Sequence, residues 1–555
     1  MSRALVCALA ALFCAAQARA AEGDEPYAKL LLLAGDSHQH AATLYMIQRQ
    51  AKQPPVPGFG PNLHENASAA DALDAMRKGG YDWGSISHHD TNHPGQLANV
   101  CIDPASGKYQ WWIKNVSAAG FPDATSQSGS AVSPPSNEAL ALSKVADAKN
   151  AEGPGGFLAL SGREFTNVNF TPTGVGPREA GHKIVVLPRD TTGMCTADGL
   201  LAGDEYCRDE SHLYTWIAGQ RGPRPVLIQA HPGAPESMDL RPFHPVNAPG
   251  GFSDQFVEGI EVSSNHQDPQ WEPAYQRALH LGYRLFPAFG SDNHYATYPG
   301  NQPTPAVGAT LCWSAGRSRN ALVAAMLERR CYYATSWKPE LRFAARAHGG
   351  ASWLMMGAEL AAPGGQVDLR IRARNDPRNL NANSRLGKRF DTLQLVDDAG
   401  AIVAGCGANP RPPANATACS CTRADDGSDT CSLSVDALQL HDGAFYPRIL
   451  MSNPDPNGCR SKATPVFLPG CSTVVIGAPI FVNWSAVQAR SSYRACRLDP
   501  NHLPCAEPGC LPQEVDRDQD GWPDDCDVCP DLANPDQADA DKNGVGDACP
   551  RAAAR

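Results

Sequence analysis

The apolar run at 29–35, KLLLLAG, stops abruptly at Asp36, His38 and His40. In extended backbone, positions i and i+2 point the same way, so the two imidazoles share one face at the end of a buried strand. The same kind of segment recurs to about residue 337. YDWGSISHHD (81–90), GFLALSGREF (156–165), HKIVVLP (182–188), PVLIQAHPG (225–233), GIEVSSN (259–265) and RLFPAFGSDNH (284–294) all read as strands. Helical periodicity separates several of them: DALDAMRKGG (71–80), NEALALSKVADAKN (137–150), SHLYTWIAGQ (211–220) and WEPAYQRALHLG (271–282). Alternating strands and helices with strongly apolar strands predict an α/β fold, a parallel sheet covered by helices.

Polar residues collect where these strands end. His38 and His40 end one strand, and His88, His89 and Asp90 the next. Glu164, His231, and the pair Asp292 and His294 end three more. Sites in parallel α/β folds sit at the carboxyl ends of the strands. The histidines are biased the same way, with 13 of 16 at or before His294, so any imidazole site belongs to this first region.

Beyond residue 337 the pattern changes to period two. ELRFAARA, QVDLRIRARN, FDTLQLVDDAG, CSLSVDALQL, AFYPRILMSN and APIFVNW alternate apolar and polar positions, with DDAG and DPNG as turns. This predicts an antiparallel β-sandwich over 338–490, acting as an accessory domain. Its 406–431 insert reads as a disulfide-tied loop. A Cys- and Pro-rich linker follows at 491–513.

Charge and cysteines divide the chain further. The net charge is -11, and residues 514–550 carry 12 acids and 2 bases, a net of -10. The overall negative charge argues against broad nucleic-acid affinity, and because the remainder is near neutral the acidity belongs to the tail. Residues 1–20 read as a signal peptide, with Arg3, an apolar core and the small-residue site at 18–20. Export to the periplasm or the extracellular space is therefore expected, with no membrane-spanning segment in the mature chain. Seventeen of the 19 cysteines follow that segment and 12 lie after residue 400, a density that implies disulfides in an exported chain.

In the tail, oxygen-bearing residues alternate around a glycine, as a wrapped calcium loop requires. Asp516, Asp518, Asp520, Asp524 and Asp527 surround Gly521, and Asp539, Asp541, Asn543 and Asp547 surround Gly544. Pro523, Pro530 and Pro535 forbid the flanking helices of an EF-hand. With its CP and NPDQ elements, the tail resembles thrombospondin type 3 repeats, which implies calcium binding.

GDSHQH, ISHHD, GREF, GHKIVV, AHPG and GSDNH, in this order, resemble the polymerase-and-histidinol-phosphatase (PHP) superfamily of metal-dependent hydrolases. The exported, carbaryl-hydrolase-like branch is the nearest in pattern, and the resemblance spans roughly 29–484. It implies a distorted (β/α)7 barrel over 27–337. It implies metal ligation by His38, His40, His89, Glu164, His182, His231, Asp292 and His294, with Glu164 shared between two ions. Two or three divalent ions are implied, and zinc, manganese and iron stay open for such mixed ligation. Two departures stand out. His88 occupies a place where the family usually has an acid, and Met46 occupies one where some members have a histidine or acid.

The implied chemistry is hydrolysis by a metal-bridged hydroxide, with His88 or His294 supplying a proton to the leaving group. The substrate is a small-molecule phosphoester or, on the same site, a carboxyl ester or carbamate. The rival reading is a non-catalytic, calcium-dependent surface or matrix protein with a degenerate barrel, its tail meeting a cell-surface or matrix partner. Arg163 and Lys183 flank proposed ligands and, as strand neighbours, should point away from the site. Asp36 reads either as a residue orienting a ligand histidine or as a turn residue.

Overall fold

A computed structural model of the chain describes residues 26–40, 69–87, 100–102, 109–111, 156–166, 182–188, 195–196, 205–206, 210–220, 224–232, 256–264, 271–280, 282–292, 308–334, 338–375, 389–407, 412–452, 471–484 and 532. Seven strands lie side by side in chain order: β1 (Leu31–Gln39), β2 (Trp83–Ile86), β3 (Leu158–Thr166), β4 (His182–Leu187), β5 (Val226–Gln229), β6 (Val257–Ser264) and β7 (Phe286–Gly290). Strands β2, β4, β5 and β7 are buried along their whole length. Near-continuous apolar strands of this kind belong to a sheet covered on both faces. The described helices of this region are α1 (Ala69–Lys78), α2 (Glu210–Gly219), α3 (Glu272–His280) and α4 (Arg319–Leu327). The helix expected over 137–150 lies outside the described residues.

The expected all-parallel order needs one correction. β1, β2 and β3 are mutually parallel, as are β5, β6 and β7. β4, however, is antiparallel to both β3 and β5. A parallel return needs a crossover of a dozen or more residues, usually helical. The connecting sequence 167–181 carries Pro172, Gly174, Gly176 and Pro177, which do not support one. The reversal has a consequence for the site. It puts the first residue of β4, His182, opposite Thr166 at the carboxyl end of β3.

Among the described residues no ladder joins β7 to β1, so the strand path is open rather than a closed barrel. The two ends nevertheless meet: the Asp292 N–H donates to the His38 carbonyl at 2.8 Å, and Ser291 Oγ donates to the same oxygen at 2.9 Å. On its other side β1 pairs with β8 (Ala309–Ser314), and β8 with β9 (Cys331–Ala334), both antiparallel. A Cys312–Cys331 disulfide links β8 and β9.

The second region supplies β10 (Glu340–Ala347), β11 (Gln366–Asn375), β12 (Arg389–Asp397), β13 (Ile402–Cys406), β14 (Ala416–Arg423), β15 (Asp429–Gln439), β16 (Gly443–Ser452), β17 (Cys471–Ile476) and β18 (Ile480–Val482). All its main pairings are antiparallel, in one sheet ordered β10-β11-β15-β14 and another ordered β17-β16-β12-β13. The 406–431 segment is more than a tied loop. β14 fills much of it, as the alternation ATACSCTR allows, and Cys406–Cys419 and Cys421–Cys431 pin it.

The two regions share a sheet and a core. Tyr333 and Ala334 of β9 pair with Ile476 and Val475 of β17. The buried Tyr27 hydroxyl donates to the Phe343 carbonyl at 2.6 Å and accepts from the Phe343 N–H at 3.0 Å. The buried carboxylate of Glu272 on α3 accepts from the Tyr446 hydroxyl at 2.7 Å and from Arg448 Nη1 at 3.0 Å. Trp484, 1% exposed, closes this core, and its truncation to alanine would cost roughly 3–5 kcal/mol. Among the described residues no helix is long and apolar enough to cross a membrane.

Candidate metal centre

Six residues singled out from the sequence meet at the carboxyl ends of β1, β3, β5 and β7 and the amino end of β4. His38 and His40 come from β1 and its end, and Glu164 from β3. His182 opens β4, His231 follows β5, and Asp292 follows β7. His88, His89 and His294 lie outside the described residues, as do all nine proposed calcium ligands, Asp516, Asp518, Asp520, Asp524, Asp527, Asp539, Asp541, Asn543 and Asp547.

Glu164 sits between two groups of donors. Its Oε2 is 3.6 Å from His38 Nε2 and 3.5 Å from His40 Nε2. Those nitrogens are 3.1 Å apart, and lie 3.5 and 3.1 Å from Asp292 Oδ1. Tetrahedral ligation with metal–ligand bonds near 2.0–2.1 Å spaces its donors about 3.3 Å apart. The five spacings in this group scatter around that edge length, and exceed the usual lengths of charge-assisted hydrogen bonds. On the other side, Glu164 Oε1 is 2.6 Å from His182 Nδ1 and 3.0 Å from His231 Nε2, and those two nitrogens are 3.2 Å apart. This second group is tighter, and its Glu164–His182 contact has the length of a hydrogen bond. Both the set His38, His40, Asp292 and the set His38, Glu164, His231 bring ligand atoms within 4.8 Å of one another, compatible with a metal ion.

One residue that orders the site is not evident from the pattern at strand ends. Glu261 lies within β6, fully buried, and its Oε1 is 2.7 Å from His38 Nδ1. Its Oε2 accepts the His231 N–H at 2.8 Å. One carboxylate thus orients the ring of His38, turning Nε2 towards Asp292, and fixes the backbone of His231. An acid inside the otherwise apolar GIEV was the available signal. Gly290 of β7 leaves room for it: a Cβ there would meet Glu261 Oε1 at 1.9 Å and the His38 Cβ at 2.9 Å.

Backbone strain marks the same place. His231 (φ +24°) and Asp292 (φ +48°) both adopt the left-handed region that non-glycine residues rarely occupy. Each has its N–H held, by Glu261 and by the His38 carbonyl respectively. Asp36 is a buried orienting residue rather than a simple turn residue. Its Oδ1 accepts the N–H of His38 at 2.9 Å and that of Ser291 at 3.1 Å. Lys183 donates to Gln229 Oε1 at 3.1 Å, and both Lys183 and Arg163 are buried.

The charges are strongly coupled. Burial alone would drive His38 towards its neutral form, yet Glu261, Glu164 and Asp292 overcome this and hold its pKa well above the ordinary histidine value. His231 behaves alike: burial lowers its pKa, but the Glu164 and Glu261 carboxylates together leave it raised above the ordinary histidine value. Desolvation pushes the Asp36 carboxyl up, against the hydrogen bonds from Ser291 and His38. Access is one-sided. The side chains of His38, His40 and Glu164 are 0% exposed, against 28% for Asp292, 13% for His231 and 10% for His182, so the centre opens on the side of these last three.

No protein-family model matches the chain, and no curated protein matches it. Among solved structures, a match is a two-domain protein from Bacteroides vulgatus ATCC 8482 described as "containing predicted PHP-like metal-dependent phosphoesterase". It is 11% identical, with 81% of this chain and 96% of that chain covered, at a TM-score of 0.32. A likeness at that level assigns neither fold nor activity to this chain.

Proposed function

We propose that the chain is a divalent-metal-dependent hydrolase of PHP type that cleaves phosphoester bonds. The observation that carries this reading is the placement of Glu164, whose two oxygens face two separate groups of imidazoles. His38, His40, Asp292 and Glu164 Oε2 would hold one ion, and Glu164 Oε1, His182 and His231 a second. In this reading the run β1 to β7 is a distorted (β/α)7 barrel, supported by the bonds from Ser291 and Asp292 back to β1.

Bound divalent ions supply Lewis acidity and a water whose pKa is brought towards neutrality. The protein's own part is orientation and charge. Glu261 presents the His38 ring, and Asp36 ties the end of β1 that carries His38 to Ser291 at the end of β7. The more exposed Asp292 and His231 line the route by which an anionic ester arrives. His88 and His294 remain the proposed proton donors to the leaving group, and His89 and His294 the proposed further ligands. Export and calcium binding by the 514–550 tail complete the proposal.

Purified protein, stripped with chelator and reloaded with zinc, manganese or iron, should be assayed on aryl phosphoesters beside aryl carboxyl esters and carbamates. Phosphoester turnover that vanishes with chelation and returns with metal is the expected result. Turnover confined to carboxyl esters or carbamates would reassign the substrate class. Absence of turnover with full metal loading would contradict the enzyme reading.

A further inference from the structure

The outward face of the β10-β11-β15-β14 sheet carries a concentration of arginine that the hydrolase reading does not use. Along β11 the exposure alternates, and Arg370, Arg372 and Arg374 point outwards. Same-side residues on a strand follow one another at about 6.8 Å, so the three guanidiniums form a row. Arg342 and Arg346 stand on the same face of neighbouring β10, with Arg342 directly opposite Arg372. Like charges directly opposed across strands are destabilising. Acids offset only part of this charge. Asp368 pairs with Arg346, and Glu340 with Arg342. Arg374 stands opposite Glu340, whose carboxylate is taken by Arg342, and among the described residues neither Arg372 nor Arg374 forms an ion pair.

The flanking strand adds a second chemistry. In β15, Ser434, Ser432 and Thr430 stand in register beside Arg370, Arg372 and Arg374. Each outward guanidinium therefore has a hydroxyl next to it on the adjacent strand. We infer that this face binds a polysaccharide of acidic sugars, the arginine row taking its carboxylates and the serine and threonine row its ring hydroxyls. Guanidinium forks match carboxylates bidentately, and neutral hydroxyls exchange hydrogen bonds with sugar hydroxyls. The face is less suited to single-stranded nucleic acid, which needs open aromatic rings for its bases. The partly buried Trp353 has its ring stacked against the guanidiniums of Arg346 and Arg370, at 4.6 and 4.2 Å, so it is already engaged by cations.

The test uses the full-length protein in EDTA, so that no divalent cation bridges the acidic tail to an acidic polymer. It is titrated with polygalacturonate, neutral dextran and single-stranded DNA. Salt-sensitive binding to polygalacturonate and none to dextran is expected. The triple variant R370S/R372S/R374S and the single variant R372E should each weaken polygalacturonate binding about tenfold or more, with their near-ultraviolet circular dichroism unchanged. Any one of three results would overturn the proposal: no polygalacturonate binding by the unaltered protein, unchanged affinity in folded variants, or tighter binding to the DNA.

Discussion

Glu164 Oε1 lies 2.6 Å from His182 Nδ1, although His182 begins its strand and Glu164 nears the end of its own. The antiparallel insertion of β4 makes the contact. If this pair holds one ion while His38, His40 and Asp292 hold another, His182→Ala should remove the first and spare the second. Calorimetric titration should then show one cation class weakened by about a hundredfold or more, beyond the usual cost of losing an outer partner, and the other nearly unchanged. Equal weakening of both classes would refute separate sites.

Glu261 reaches both groups without belonging to either. Glu261→Gln keeps its shape and removes the charge opposite His38, and is expected to lower metal affinity by about 10–100-fold. Gly290→Ala attacks the same arrangement sterically, because the added methyl would collide with Glu261 Oε1. It should destabilise the protein by about 1–3 kcal/mol and weaken metal binding together, as measured by denaturant unfolding and by titration.

Against the burial that disfavours its charge, the carboxylates around His38 hold its pKa well above the ordinary value, so the metal-free protein favours the protonated ring more than a free histidine does. A cation must displace that proton, because only neutral imidazole ligates. Metal affinity should therefore rise with pH up to the His38 pKa, with a proton released on binding. Calorimetry in buffers of different ionisation enthalpy reads that release directly. No dependence on the buffer would show that His38 is already neutral.

At the opposite end of the sheet, Glu258 is fully buried, and desolvation raises its pKa from 4.5 to about 6 against the opposing charges of Arg224 and Arg329. The folded value exceeds the unfolded one, so the native state binds the extra proton. The stability contributed by this group is fully present below about pH 4.5 and is lost as pH rises through about 6. The loss amounts to about 2 kcal/mol. Denaturant unfolding across that window should show the fall, and Glu258→Gln should flatten it.

Much of the centre was legible because imidazoles and carboxylates ending apolar strands have few reasons to converge other than a shared ligand. His38, His40, Glu164, His231 and Asp292 follow that rule. His182 breaks it, and only the reversed direction of β4 explains why a residue at a strand's start joins residues at other strands' ends. Glu261 stayed hidden for a different reason. A lone acid inside an apolar strand reads as an isolated burial cost until its two partners, distant in sequence, are known. The period-two pattern gave the antiparallel strands after residue 337. It could not show that β17 extends the first region's sheet through β9, because strand pairing between distant segments leaves no local signature.

The most direct measurement is a crystal structure of metal-loaded protein with anomalous scattering collected at the metal's absorption edge. Two-ion binding predicts two peaks flanking Glu164, one among His38, His40 and Asp292 and the other beside His182 and His231. A map without a peak at Glu164, from crystals whose metal content is verified by emission spectroscopy, would contradict it.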